Sequence, residues 1–148
     1  MQPIRFAILG TAKIARTVGP RIQAFEGTEL QGVASRSADK AATFASDFQI
    51  PRSYDSYEAA LSDPGIDAVY IPLPPSMHLE WTTRAAKAGK HVLCEKPIAL
   101  TYPEAQELAD LAREKGVTHL VPFTYRFMPT ARYLKRLIDD ESYIGKPY

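Results

Sequence analysis

Short apolar runs alternate with stretches of helical spacing along the whole chain. Residues 4–9, 30–34, 68–71, 91–94 and 119–123 form the apolar runs, each of strand length. After the first run, Ile14, Val18, Ile22 and Phe25 recur at i, i+4, i+8 and i+11, which predicts one face of a helix. Ala105, Leu108, Ala109, Leu111 and Ala112 predict another in the same way. Asp55-Ser56-Tyr57-Glu58 and Thr101-Tyr102-Pro103-Glu104 read as capping boxes, in which a side-chain oxygen accepts from an orphan helix N–H and a glutamate reaches back. Gly27, Gly89 and Gly116 mark helix ends, and Pro129 marks the start of a last helix. Strands alternating with helices imply a parallel sheet covered on both faces. Right-handed crossovers then give a doubly wound, mostly parallel α/β sheet. The 148 residues suit one such domain, 1–148, and no repeat, low-complexity tract or linker divides them.

Composition narrows the function classes. A hydrophobic share of 45% supplies an ordinary core, and a charged share of 24% is that of a folded domain. The 18 basic and 17 acidic residues leave a net charge of +1, without the basic excess of a nucleic-acid binder. Cys94 is the only cysteine, so neither an intrachain disulfide nor a Cys/His zinc site is expected, and no metal site is read. Met1 leads into the first apolar run without signal-peptide regions, and no run has the length of a membrane span. A cytoplasmic protein with no membrane or nucleic-acid partner is the expectation.

The chemistry gathers where strands end. The first strand empties into Gly10-Thr11-Ala12-Lys13-Ile14-Ala15, which opens a helix. This is the dinucleotide-binding fingerprint in altered form, with Gly10 for the tight turn, Ala15 for close helix–strand packing and Ala12 at the middle position. The helix N-terminus offers N–H groups to a pyrophosphate; a small-residue turn that binds nothing has the same outline. The second strand ends in Ala34-Ser35-Arg36-Ser37, where an NAD-reading fold usually carries Asp or Glu. Arg36 presents a planar fork suited to a phosphate and Lys40 adds a second charge one helical turn on, which favours NADP. NAD is the second candidate, because Asp39 is also placed to serve a ribose. The alternative is a solvated basic start to a helix.

The third strand leads into Pro72-Leu73-Pro74-Pro75-Ser76, where Ser76 is placed to cap a helix carrying His78 and Trp81. His78 reads either as a catalytic group or as a capping or packing residue. The fourth strand ends Cys94-Glu95-Lys96-Pro97, a charged pair pinned by a proline that also admits a cis bond. Lys96 is placed to steer a nicotinamide carboxamide or polarise a substrate hydroxyl; its bland alternative is a solvated lysine. Tyr125 and Arg126 follow the fifth strand and read equally as substrate contacts, contacts to a further domain, or packing.

Taken together, the Gly10–Ala15 turn, Pro75-x-x-His78-x-Glu80-Trp81, the stretch 88–97 ending Glu95-Lys96-Pro97, and Tyr125-Arg126-Phe127-x-Pro129 resemble the Gfo/Idh/MocA oxidoreductases, most of all their glucose–fructose oxidoreductase and dihydrodiol dehydrogenase branch. The resemblance covers essentially the whole chain. It implies an N-terminal Rossmann domain followed by an antiparallel α/β domain that supplies the substrate face and homo-oligomer contacts. It implies that Lys96 and His78 serve catalysis, with Lys96 beside the nicotinamide. Gly10, Thr11, Ala12, Lys13, Ile14, Ser35, Arg36, Lys40, Leu73, Pro74, His78, Glu95, Lys96, Pro97 and Arg126 are implied to bind the cofactor. Ala12 departs from the middle glycine, and Pro75 stands where the family commonly has Asn. Ile144-Gly145-Lys146-Pro147-Tyr148 resembles the lead-in to the second domain, which carries the family's acid/base histidine. The expectation is therefore a fragment of an enzyme moving hydride between NADP and a sugar, polyol or diol, inactive alone. The rival reading is a stand-alone module that senses a nucleotide or binds a partner without catalysis.

Overall fold

The computed structural model describes residues 2–140 and 145. Along the chain run β1 (Ile4–Leu9), α1 (Ala15–Ala24), β2 (Thr28–Ala34), α2 (Ala38–Asp47), β3 (Arg52–Tyr54), α3 (Tyr57–Ser62), β4 (Ala68–Ile71) and α4 (His78–Lys87). They are followed by β5 (His91–Cys94), α5 (Tyr102–Lys115), β6 (His119–Leu120) and α6 (Pro129–Asp139). Short 3₁₀ turns at Pro75–Met77 and Thr124–Phe127 precede α4 and α6. The sheet order is β3-β2-β1-β4-β5-β6, and every pairing is parallel. The order reverses between β1 and β4, the switch point at which an open α/β sheet binds ligands.

Two apolar clusters hold the sheet. On one face Ile8, Leu30, Val33 and Tyr70 of the sheet pack with Ile22 of α1 and Phe44 of α2; on the other, Leu9, Ile71 and Val92 of the sheet pack with Tyr57 of α3 and Trp81 and Ala85 of α4. Ion and hydrogen bonds fix the start of β4: Arg5 grips Asp67 through Nε and Nη2 at 2.8 and 2.7 Å. Buried Lys90 donates to the carbonyls of Asp63 and Ile66, both at 2.8 Å, and burial pulls its ammonium below the usual lysine range.

The Thr101 capping box forms as expected, and Gly27, Gly89 and Gly116 all take positive φ. Several details differ. At 55–58 Ser56, not Asp55, caps α3 by accepting from Ala59 N–H, and Glu58 instead pairs with Arg84. Phe25 lies outside the helix face because α1 ends at Ala24 and the chain turns extended there, leaving Phe25 exposed. Ser76 makes no side-chain cap, being inside the 3₁₀ turn. β2 begins earlier than residue 30, β3 is an additional edge strand, and β6 stops at Leu120. Of the stretch 144–148 only Gly145 lies among the described residues.

Candidate functional site

At the switch point the carboxyl ends of β1, β2 and β4 surround a crevice of about 250 Å³, lined by Gly10, Thr11, Ala12, Ser35, Arg36, Lys40, Tyr57, Pro72, Leu73 and Pro74. Gly10 begins the turn at φ +107°, a left-handed value suited to glycine. A Cβ there would meet Leu73 Cδ2 at 2.8 Å, so the β1 and β4 turns close on each other because residue 10 has no side chain. Gly10 N–H is spent on the Ala34 carbonyl, whereas Ala15, Arg16 and Thr17 already bond within the helical turn. The N–H groups of Thr11, Ala12, Lys13 and Ile14 have no acceptor among the described residues. Unspent donors at a helix start suit an anionic group. The side chains of Lys13 and Ile14 point outward and are exposed.

The opposite wall is basic. Ser35 is buried at the end of β2, where its N–H donates to Tyr54 O and its Oγ accepts from Ser37 N–H, leaving the hydroxyl proton free to donate. Ser37 then caps α2 by accepting from Lys40 N–H. Arg36 and Lys40 are exposed, and neither has an acidic partner among the described residues. Donors at 11–14 and free cations at 36 and 40 thus border one crevice. These residues fit a dinucleotide, with the first set suited to its pyrophosphate and the second to a ribose phosphate.

Glu95, Lys96 and Pro97 form the next turn, after β5. Their peptide bond Lys96–Pro97 is cis. Lys96 is exposed, and Glu95 accepts from Tyr70 Oη at 2.8 Å. His78 is fully buried and joins the turns after β4 and β5: Nδ1 lies 2.7 Å from the Pro97 carbonyl and Nε2 2.8 Å from that of Leu73. Cys94 beneath this turn is buried, which pushes its thiol up to about 11 and leaves it a packing residue rather than a nucleophile. Arg126 stands elsewhere, in a groove with Tyr125, Ala131, Arg132, Lys135, Arg136 and Asp139, none of which lines the crevice. Sequence reasoning missed Tyr57 in the crevice wall and Tyr70 behind Glu95; their only signal was an aromatic side chain at a helix start and one inside an apolar strand. No group of three metal-ligating side chains gathers among the described residues, and none of the described helices is long and apolar enough to cross a membrane.

Residues 4–123 match a family profile described as an oxidoreductase family with an NAD-binding Rossmann fold. A D-xylose 1-dehydrogenase (NADP(+)) of Haloferax volcanii is 43% identical over 137 residues, covering 92% of this chain and 42% of the relative. A dTDP-3,4-didehydro-2,6-dideoxy-α-D-glucose 3-reductase of Actinomadura kijaniata is 39% identical, covering 97% of this chain and 43% of the relative. A crystal structure of a 3-ketoreductase from Actinomadura kijaniata, in complex with TDP-benzene and NADP in an open conformation, superposes with a TM-score of 0.91 at 39% identity. That match covers 98% of this chain and 46% of the other. The chain therefore spans less than half the length of these relatives.

Proposed function

The chain belongs to the Gfo/Idh/MocA oxidoreductase family, and we propose that it is the cofactor-holding domain of an enzyme that moves hydride between NADP and the CH–OH carbon of a sugar, polyol or diol. The observation that carries this reading is the joining of the Gly10-Thr11-Ala12 turn to Arg36 and Lys40, which have no acidic partner among the described residues, in one crevice. A nicotinamide dinucleotide, when bound, supplies the hydride chemistry. The N–H groups of residues 11–14 hold the pyrophosphate, and Ser35, Arg36 and Lys40 hold the 2′-phosphate of the adenosine ribose. Leu73, Pro72 and Tyr57 wall the crevice and exclude water. Lys96 holds the substrate oxygen at Nζ and takes part in moving its proton.

The sugar or diol assignment draws on the relatives, whose names include a D-xylose dehydrogenase and a dideoxyhexose 3-reductase. A further domain completes the substrate pocket and carries the homo-oligomer contacts. An exposed apolar stretch through Leu120, Phe123, Tyr125, Phe127, Tyr133 and Leu134 supports this, since such a surface suits a covering partner. The isolated chain then binds cofactor without turning over substrate.

Calorimetric titration of the purified chain with NADPH and NADH tests the reading. Tighter binding of NADPH is the expected result, and no binding of either would overturn it. Robust sugar or diol dehydrogenase activity from the 148-residue chain would overturn the need for a further domain. Cofactor binding by a full-length protein that turns over neither sugars nor diols would favour the non-catalytic sensing module instead.

A further inference from the structure

His78 opens α4, yet its side chain is 0% exposed. Its two ring nitrogens lie 2.7 and 2.8 Å from the backbone carbonyls of Pro97 and Leu73. Carbonyls only accept. A neutral imidazole carries one N–H and one bare nitrogen, so either tautomer would set a nitrogen lone pair against an oxygen lone pair. Separations this short are those of N–H···O bonds, and charge-assisted ones in particular. A ring with a proton on both nitrogens satisfies both carbonyls at once.

Two costs oppose that state. Burial disfavours a charge, and the N-terminal end of a helix repels a cation. Two charge-assisted bonds to fixed carbonyl dipoles offset them. His119 lies on β6. Its Nε2 is buried with no hydrogen-bond partner among the described residues, and burial holds its imidazole below the usual range.

The bridge has a mechanical consequence. Leu73 belongs to the crevice wall, and Pro97 follows Lys96 directly. We propose that His78 is a positioning residue for Lys96: its doubly protonated ring ties the turn after β4 to the turn after β5 and so sets where the lysine stands relative to the crevice. This rests on the reading of Lys96 given above; His78 itself is fully buried and does not line the crevice.

Two measurements test it. In the ¹⁵N-labelled chain at neutral pH, long-range ¹H–¹⁵N correlations should show protons on both nitrogens of His78. A neutral tautomer with one bare nitrogen would overturn the proposal. In the full-length protein, His78→Phe keeps the ring volume and removes both donors. It should lower kcat by about a hundredfold, the scale of an ångström's misplacement, with the sugar KM nearly unchanged. His78→Gln, which restores one N–H donor, should recover part of the loss. A folded His78→Phe protein with wild-type kcat and only a lowered Tm would reduce His78 to a packing residue and overturn the proposal. Should Lys96→Ala leave kcat intact, the reading of Lys96 fails on its own, while the nitrogen correlations still decide the state of His78.

Discussion

The hydroxyl of Tyr70 donates to Glu95 Oε1 across 2.8 Å, from inside the sheet to the turn that carries Lys96. Tyr70 is fully buried on β4, and its phenol is pushed above the ordinary tyrosine range, by burial first and by the bond to Glu95 second. It therefore stays a neutral donor with the carboxylate as its acceptor. Glu95 N–H donates to the Ile71 carbonyl at 3.1 Å, so side chain and backbone both fasten this residue to β4. The strand that lines the crevice thus also holds the turn after its neighbour.

Replacing Tyr70 by Phe deletes that hydroxyl and little else. The variant should lose about 1.5–3 kcal/mol of stability, the scale of a hydrogen bond to a charged group, seen as a lower midpoint in urea unfolding. An unchanged midpoint would mean that Glu95 exchanges Tyr70 for water without penalty.

The central strands were legible because β1, β4 and β5 are apolar runs fixed on both sides by neighbours. The edges were not. Arg52-Ser53-Tyr54 has one half-buried side chain and forms β3 only by pairing with β2, which no local pattern records. Residues 121–123 look like strand, yet with β5 as the one partner among the described residues the pairing ends at Leu120. At the site, Gly10, Ser35, Arg36 and Leu73 could be placed because strand ends aim them at the switch point. Tyr57 and Tyr70 read as ordinary core residues. The bonds of His78 are tertiary: its nearness to Pro97 exists only once β4 and β5 have paired.

Arg5 and Asp67 give the fold a predictable acid response. The guanidinium lowers the Asp67 carboxyl from the usual 3.8 to about 2. A carboxylate depressed in the folded state adds stability above its unfolded pKa and loses it as pH falls through the folded one. The full contribution should stand above about pH 4 and fade towards about pH 2. Both side chains are more than a third exposed, so solvent screens the pair and the effect is modest. Urea midpoints of wild type and Asp67→Asn should differ above that window and converge within it. A constant gap from pH 6 to pH 2 would sink this account.

Cofactor choice should turn on Arg36. It borders the crevice with no acidic partner among the described residues, so its charge is available to a 2′-phosphate. Losing a charge-assisted contact costs ~1.5–3 kcal/mol, so Arg36→Ala should weaken NADP binding by roughly tenfold or more. NAD binding should hardly change. Calorimetry on both cofactors checks this, and equal affinities untouched by the substitution would remove the arginine from the cofactor site.

Lys96 carries the sharpest test of the proposed chemistry. It is exposed at the end of β5, with Glu95 anchored by Tyr70 before it and Pro97 facing His78 after it. A turn so firmly held owes nothing evident to the lysine side chain, since no ion pair or hydrogen bond of Lys96 Nζ exists among the described residues. A side chain with no structural partner costs little stability when removed. One that holds a substrate oxygen and moves its proton acts mainly in the transition state. In the full-length protein Lys96→Ala should therefore lower kcat by about a hundredfold or more, the lower end of acid–base contributions. The NADP dissociation constant and Tm should stay close to wild type, because that pattern marks an interaction made during chemistry. Steady-state kinetics set beside cofactor titration and thermal melting decide it. A near-normal kcat in a folded variant would make Glu95-Lys96-Pro97 a strand terminator and move the proton chemistry to another residue.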